Sequence, residues 1–177
     1  MHGVAKRVEF EAAVLPHLDA AYNVARWLVR DEHDAEDVVQ EAYLRAFRFF
    51  GGFRGGDSRG WLLTIVRNAC YTWLRKRRPD DLNASLDEEV HGREEGAPSP
   101  EAEVLRQATG RSLQRALEAL PVGLREVIVL RELEGLSYAE IAAVVDIPIG
   151  TVMSRLSRSR RRLQELLGSS LGREVAR

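Results

Sequence analysis

Apolar residues recur at steps of three and four along most of the chain, and this is the spacing of one buried face of an α-helix. The first series starts at Phe10 and predicts a helix with a bend near Pro16. A second series begins with Asp34 as its N-cap, and a third begins with Ser58 as its N-cap and ends before Pro79. More such series follow after residue 104. The sequence therefore predicts an all-α protein.

One long stretch, from about residue 80 to residue 101, has little of this periodicity. It contains Pro98 and Pro100, and residues 79–103 carry nine acidic side chains against the single Arg93. This composition is typical of a linker. A chain of 177 residues that is 45% hydrophobic can form two small cores. We therefore expect two small helical domains, residues 1–79 and 108–177, joined by an acidic flexible linker over residues 80–107.

The C-terminal domain carries the pattern of a helix-turn-helix. Ser137 and Glu140 match a capping box at the start of a short helix, and a turn follows at residues 146–147. Pro148 then opens a longer, arginine-rich helix that we expect to reach about Leu167, with a frayed polar tail after it. Two helices joined by a tight turn, the second longer and more basic, are typical of DNA-binding proteins. We expect the buried face of the second helix to consist of Val152, Leu156, Leu163 and Leu166.

The other side of that last helix is polar and basic. Side chains near the N-terminal end of such a helix reach base edges in the major groove, and flanking arginines neutralise phosphates. A solvated basic surface with no partner is the alternative interpretation. The candidate DNA-reading residues are Thr151, Met153, Ser154, Arg155, Ser157, Arg158 and Arg161.

Charge is distributed in blocks, although the net charge is only -1. Residues 31–42 contain six acidic residues and no lysine or arginine, whereas residues 67–78 contain five basic residues and no acidic one. Acidic side chains stabilise a helix N-terminus, but six within twelve residues exceed what capping requires. The acidic block indicates either a basic protein partner or merely a solubilising helix end.

Two motifs together resemble the extracytoplasmic-function (ECF) sigma factors, a family of alternative sigma factors of bacterial RNA polymerase. Residues 136–142 (LSYAEIA) and 147–156 (IPIGTVMSRL) resemble the promoter-reading fourth region of that family. Residues 34–46 (DAEDVVQEAYLRA) resemble its second region. The two motifs occur in the family's order and are separated by a linker. The resemblance implies a factor that binds core RNA polymerase and directs it to a limited set of promoters.

The resemblance also implies partners for the acidic helix and for the whole chain. Its acidic helix would dock on the clamp helices of the largest polymerase subunit, and its C-terminal domain would meet the polymerase flap. An anti-sigma factor would hold the protein inactive. The residues that fall on polymerase-contact positions, or next to them, are Asp34, Asp37, Gln40, Glu41, Tyr43 and Leu44.

By the same resemblance, the third helix would melt the minus-ten promoter element, and the C-terminal domain would read the minus-thirty-five element. Asn68 aligns with the position that lines the pocket for a flipped base. Met153 stands where many relatives carry lysine or arginine. The basic residues that would follow the minus-ten backbone are Arg67, Arg75, Lys76, Arg77 and Arg78.

Other functions fit the sequence less well. The acidic residues lie on one helix start without a converging histidine, so we expect no catalysis, and the scattered histidines and single cysteine predict neither a metal site nor a cofactor. We expect no small-molecule substrate. A dimeric helix-turn-helix repressor remains the alternative, although it accounts for the C-terminal half only.

The sequence also gives an expectation for the cellular location. It contains neither a signal peptide nor an apolar run of the length that a membrane span needs, so we expect no direct membrane insertion. We expect a cytoplasmic protein associated with the nucleoid, which an anti-sigma factor would in some states recruit to the membrane.

Overall fold

The structure is a computed structural model, and it describes residues 2–83 and 110–175. These residues contain helices and turns and no strand, which confirms the all-α prediction for the described part of the chain. The first domain consists of α1 (His2–Val14), α2 (Leu18–Val29), α3 (Glu32–Phe49), α4 (Ser58–Arg77) and α5 (Pro79–Asn83). The second consists of α6 (Gly110–Ala119), α7 (Val122–Ile128), α8 (Tyr138–Val145) and α9 (Ile149–Val175).

Short irregular segments separate the helices of the first domain where the sequence predicts a break. A 3₁₀ turn at Leu15–His17 contains Pro16 and divides the first predicted helix into α1 and α2. Arg30 adopts a left-handed conformation (φ 62°) and ends α2, so that α3 packs back against α2 and α4. A second 3₁₀ turn, Phe50–Gly52, leads into the glycine-containing loop before α4.

Both predicted N-caps in this domain are wrong by one helical turn or less. The N-cap of α3 is Asp31, whose side chain accepts a hydrogen bond from the backbone N of Asp34, so Asp34 lies inside the helix. The N-cap of α4 is Asp57, whose Oδ1 accepts from the backbone N of Gly60 at 2.9 Å. Ser58 is instead the first helical residue, and its Oγ lies 3.1 Å from Nε2 of His17.

The predicted linker boundary also needs correction. Residues 80–83 were expected to belong to the linker, but they form α5, which packs against the first domain. Leu82 contacts the core, and Asp81 accepts a hydrogen bond from Arg30. The rest of the predicted linker, residues 84–107, lies outside the described residues.

The second domain contains the predicted helix-turn-helix. Ser137 and Glu140 form the expected capping box, and Asp146 adopts a left-handed conformation (φ 60°) at the end of α8. Upstream of α8, α7 continues into a π-helical turn, Val129–Leu133, and Gly135 follows this turn in a left-handed conformation (φ 68°). The first residues of α9 then follow Pro148, whose carbonyl accepts from the backbone N of Val152 at 3.1 Å.

Helix α9 differs from its prediction in length and slightly in its buried face. It continues to Val175, so the expectation of a frayed tail after Leu167 is wrong for residues 168–175. Val152, Leu156 and Leu163 are buried as predicted. Further along, Leu167 is fully buried whereas Leu166 is only partly buried, because the period of 3.6 residues places Leu167 closer to the centre of the face.

The two domains pack against each other, which the sequence did not predict. Helix α2 contacts α7, and α4 contacts α8. As a result, every residue from Val122 to Leu130 is buried, although this segment includes the charged side chains Arg125 and Glu126. The helix is covered on one side by the first domain and on the other by α9.

Candidate functional site

The predicted polymerase-contact residues lie on α3 and mostly share one exposed face. Asp37, Gln40, Glu41 and Leu44 are all exposed, and their spacing places them next to one another along the helix. The carboxylate of Glu41 lies 3.4 Å from the guanidinium of Arg45 on the same helix. The carboxylate of Asp37 faces solvent. Leu44 is 56% exposed and adds a large apolar side chain to this otherwise charged surface.

Asp34 and Tyr43 are placed differently. Asp34 is half-buried and lies 4.0 Å from Arg78, so it connects the start of α3 to the end of α4. Its backbone N bonds the carboxylate of Asp31, and this bond lowers the pKa of Asp31. Tyr43 packs edge-on against Phe10, with ring centroids 5.0 Å apart. These two residues support the α3 face rather than form it.

Phe47 also belongs to this face, although the sequence patterns did not single it out as a site residue. Phe47 lies three residues after Leu44 and is 39% exposed, with Lys6 5.5 Å above its ring. The signal was present in the sequence, since Leu44 and Phe47 continue the exposed series that begins at Asp37. Together they form an apolar patch beside the acidic one.

Helix α4 presents its predicted minus-ten residues on two different sides. Asn68, Arg75, Lys76 and Arg77 are exposed, and the three basic residues occupy the last turn, where the helix dipole favours positive charge. The carbonyl of Asn68 accepts from Thr72 Oγ1 at 3.0 Å, and the Asn68 side chain faces solvent. Asn68 and Arg75 are seven residues apart and share one side of α4, and this side is available to an anionic strand.

Arg67 and Arg78 are held by protein partners on the other sides of α4. Arg78 Nη1 donates to the carbonyl of Val29 at 3.2 Å, and its guanidinium lies 5.4 Å from the ring of Trp73. Arg67 stacks 3.7 Å above the ring of Tyr71 and donates two hydrogen bonds to Glu126 of the second domain. Of the five basic residues that were predicted to follow DNA, three are therefore exposed in this structure, whereas Arg67 and Arg78 contact other parts of the protein.

Glu126 creates a charged centre between the domains. Its buried carboxylate accepts from Arg67 Nε at 2.9 Å and from Nη2 at 3.3 Å, and Arg155 Nη1 lies 3.7 Å away. Burial by itself would lower the pKa of Arg67, but the hydrogen bond and the charge of Glu126 outweigh burial and raise it. Nearby, burial is the main reason that the pKa of the Cys70 thiol is raised to about 12, and Glu126 adds to that shift.

Helix α9 exposes part of its predicted DNA-reading set. Met153, Ser154 and Ser157 are exposed near one another in the first turns of α9, and Arg161 is exposed one turn further along, whereas Thr151, Arg155 and Arg158 are half-buried. Ser154 Oγ donates to the carbonyl of Gly150 at 2.9 Å. Met153 is 49% exposed and gives this surface an apolar centre.

The described residues offer neither a metal-binding cluster nor a membrane-spanning helix. Among residues 2–83 and 110–175, no three histidine, cysteine or acidic side chains group in a way that would hold a metal ion. In the same part of the chain, no helix has both the length and the apolarity to span a membrane.

Two family models match the chain, one in each domain. The model described as "Sigma-70 region 2" matches residues 13–79, and the model described as "Sigma-70, region 4" matches residues 110–163. The first match covers α2 to α4, and the second ends within α9.

Curated proteins similar to the chain carry sigma factor names. The RNA polymerase sigma-H factor of Pseudomonas aeruginosa is 34% identical over 165 residues, covering 89% of this chain and 86% of that protein. The ECF RNA polymerase sigma-E factor of Escherichia coli K12 is 40% identical over 134 residues, covering 72% and 70%. The factor SigE of Mycolicibacterium smegmatis is 36% identical and covers 89% of this chain, which spans only 61% of that longer protein.

Two solved structures share the fold. The sigma factor RpoE of Bartonella quintana, solved in complex with the anti-sigma factor NepR, superposes with a TM-score of 0.69 at 32% identity, covering 90% of this chain and 97% of RpoE. CnrH, solved in complex with the cytosolic domain of CnrY, superposes with a TM-score of 0.64 at 28% identity, covering 92% and 90%.

Proposed function

The chain belongs to the ECF sigma factors, a family of transcription initiation factors, as the sequence resemblance predicted, and we propose that it directs core RNA polymerase to a specific set of promoters. The observation that supports the proposal best is that one domain carries two surfaces of opposite charge. The acidic and apolar face of α3 suits a protein partner, and the exposed basic end of α4 suits nucleic acid. A repressor has no evident use for the α3 face.

Docking on polymerase would use the exposed residues of α3. The carboxylates of Asp37 and Glu41 would attract a basic partner and steer the encounter. The exposed apolar surface of Leu44 and Phe47 would be removed from water only when the partner covers it, and this burial would favour binding. The proposed partner surface is that of the clamp helices, with the flap engaging the second domain. Charge would thus set orientation, and the apolar pair would set much of the affinity.

Opening of the minus-ten element would use the exposed side of α4. Unpairing and unstacking a base costs a few kcal/mol, which must be offset by contacts made only to the melted strand. Asn68 has both a donor and an acceptor to offer an extruded base, and Arg75, Lys76 and Arg77 would neutralise the phosphates that follow it.

Reading of the minus-thirty-five element would use the N-terminal end of α9. Ser154 and Ser157 can hydrogen-bond base edges, and Met153 provides an apolar contact of the kind that a thymine methyl group accepts. Arg161 and the partly buried Arg158 lie further along the same helix, at positions suited to phosphate contacts.

We also propose that a protein inhibitor controls the factor, by analogy with RpoE, which was solved in complex with the anti-sigma factor NepR. The partner would cover the α3 face, because that face is exposed and must be free for polymerase. In this proposal the protein works in the cytoplasm on the nucleoid, and a membrane-bound inhibitor would account for any membrane association. The chain itself would carry out no catalysis and need no cofactor.

The proposal is tested by measuring binding to purified core polymerase and then run-off transcription from a library of upstream DNA. We expect saturable binding and transcripts that depend on the protein, and we expect Leu44→Ala to raise the Kd for core about tenfold because it removes an apolar anchor. Val4→Ala is the matched control, since Val4 is an apolar residue on α1 that is even more exposed than Leu44. No core binding, together with tight binding of the chain alone to duplex DNA, would instead establish the repressor alternative.

Replacement of Asn68 by alanine separates melting from docking. Asn68 is exposed on α4 and does not belong to the α3 face, so the affinity for core polymerase should not change. We expect permanganate reactivity of the melted promoter thymines to fall about tenfold, because the variant loses hydrogen bonds to the extruded base. Asn83→Ala, an exposed asparagine at the end of α5, serves as the control. Wild-type reactivity in Asn68→Ala would remove this residue from the melting site.

A further inference from the structure

Helix α1 has apolar residues on two opposite sides. Phe10 is fully buried and faces the rings of the first domain. On the other side, Val4, Val8 and Leu15 are 71%, 59% and 50% exposed, and Leu15 begins the 3₁₀ turn that follows α1. At 3.6 residues per turn, these three side chains lie within about 40° of one another around the helix axis, and the exposed Ala12 lies next to them. These four residues form the outer face of α1.

The exposed residues of the outer face are not scattered. Single exposed apolar side chains are common on soluble proteins and need no partner. Here three large ones follow one another along a single helix, with no charged residue between them on that face. The described part of the chain leaves the face uncovered. Covering it would remove apolar surface from water, which favours binding of an occupant.

The charges of α1 run in an order that its own helix dipole does not favour. Lys6 and Arg7 lie in the N-terminal half of the helix, and Glu9 and Glu11 lie in the C-terminal half. A helix dipole favours acidic groups near the N-terminus and basic groups near the C-terminus. The pair between Arg7 Nε and Glu11 Oε1, at 2.8 Å, also has the less favourable of the two orders along a helix. An antiparallel helix with the same order of charges would instead place acidic groups opposite basic ones.

A second copy of α1 is such a helix, and its apolar residues match at one register. We consider two copies that are antiparallel and related by a two-fold axis midway between residues 4 and 15. Val4 of one copy is then level with Leu15 of the other, because both lie on the outer face at equal distances from the axis. Val8 of one copy lies within one residue of Ala12 of the other. The outer face is therefore complementary to itself.

The charged residues match at the same register. Arg7 and Glu11 lie on the same edge of the outer face, and in a symmetric antiparallel pair an edge of one helix meets the same edge of the other. Arg7 of one copy then lies within one residue of Glu11 of the second copy, and the symmetry forms this pair twice. The Arg7 side chain is 72% exposed, so it can exchange its partner within the helix for the one across the contact.

We propose that the outer face of α1 is the contact surface of a weak symmetric dimer, in which two copies of α1 pack antiparallel. A helix of 13 residues offers less than the roughly 800 Å² that each partner of a stable complex buries, so the Kd is expected in the micromolar range. The outer face lies on the side of α1 away from Phe10, whose ring packs on α3. The dimer would therefore leave the α3 face free, and it does not depend on the proposed function.

The first test is sedimentation of the full chain over a wide range of concentrations. We expect a monomer–dimer equilibrium for the parent. Val8→Asp places two like charges near the symmetry axis, and we expect it to raise the Kd of the dimer about a hundredfold. Leu133→Asp is the matched control, because it introduces the same charge at a leucine of the second domain that is 51% exposed, and it should leave the Kd unchanged.

The second test reverses the charges of the edge one at a time. Arg7→Glu carries acidic groups at both positions of the edge, and Glu11→Arg carries basic groups at both. Each variant alone should dimerise about tenfold more weakly than the parent, because like charges then meet across the contact. An equimolar mixture of the two should regain the affinity of the parent. A parallel contact would bring each residue beside its own copy, so the two variants alone would then dimerise as well as the parent.

The outcomes decide the proposal. A parent that stays monomeric at the highest concentration would overturn it and would leave the outer face to another occupant, such as the chain's own residues 84–109 or a different protein. A dimer that persists in Val8→Asp would assign the contact to another surface, and a mixture no tighter than the separate variants would overturn the antiparallel register. Core polymerase binding is measured on the same proteins and should match that of the parent throughout. Failure of the parent to bind core would contradict the proposed function and leave the sedimentation result unaffected.

Discussion

Replacing Phe10 by alanine is expected to lower the free energy of unfolding by about 3–5 kcal/mol, the range for deleting a fully buried aromatic ring. Phe10 is completely buried on α1, and three other rings surround it edge-on: Tyr43 at 5.0 Å, Phe47 at 5.1 Å and Phe50 at 5.4 Å. These contacts add to the loss of buried area. Two of the three rings belong to α3, so the same change should also loosen the proposed polymerase-docking face.

The prediction is checked by chemical denaturation, followed by core polymerase binding at a temperature where the variant is folded. Phe49→Ala is the matched control, because Phe49 lies in the same part of the chain but is 60% exposed, and its free energy of unfolding should stay within about 0.5 kcal/mol of the parent. We expect Phe10→Leu to fall between the two, since it retains part of the apolar volume. A loss below 1 kcal/mol for Phe10→Ala would mean that the aromatic cluster does not hold α1 to α3.

The helices were predictable from sequence because each buries one periodic face, but the residues that cap them were not. Asp31 and Asp34 are equally suited to an N-cap, and the difference lies in the backbone. Arg30 turns the chain in a left-handed conformation, which leaves Asp31 extended (φ -144°, ψ 137°) and able to accept from the N of Asp34. No local pattern marks Arg30 for that conformation, since it is neither glycine nor asparagine.

The exposed part of the candidate site was also predictable. Gln40, Leu44 and Asn68 lie on the solvent side of their helices because the opposite sides carry the apolar series. Arg67 illustrates the limit of that reasoning, because it precedes Asn68 in sequence and yet points at the second domain. The basic block looked uniform in sequence, and only tertiary contacts divide it.

The charged residues between the domains could not have been assigned from sequence. Arg125 and Glu126 interrupt an apolar run, and such a pair is ordinarily placed on a solvated helix face. Their burial depends on α2 and α4, which are more than 45 residues away in the chain. A contact of that kind leaves no periodic signal, because the partner atoms include the main-chain carbonyl of Leu28.

Arg125 is the second residue for which a large effect is expected. It is 1% exposed, and its guanidinium donates to three carbonyls: Leu120 at 2.7 Å, Glu118 at 3.2 Å and Leu28 of the first domain at 3.2 Å. Alanine would leave these acceptors without their donor and create a cavity where the largest fully buried side chain stood. We expect Arg125→Ala to lower the free energy of unfolding by about 3–5 kcal/mol.

The charge of Arg125 does not itself favour folding. Burial, reinforced by the nearby Arg30, lowers the pKa of Arg125 from 12.5 to about 10. A base with a lower pKa in the folded state binds protons more weakly there, so this cost is present at every pH below about 10 and is relieved only between about pH 10 and 12.5. The benefit of Arg125 at neutral pH must therefore come from its hydrogen bonds and packing, which outweigh its desolvation.

Two variants separate those contributions by chemical denaturation at neutral pH. Arg125→Met keeps most of the volume and removes the buried charge, so we expect it to lose about 1–2 kcal/mol less than Arg125→Ala. Arg115→Ala, an exposed arginine on α6, is the control and should change stability by less than about 0.5 kcal/mol. Equal losses in the methionine and alanine variants would assign the whole effect to the hydrogen bonds. A negligible loss in both would mean that the carbonyls of Glu118 and Leu120 find water, and that α7 is not held as tightly as its burial implies.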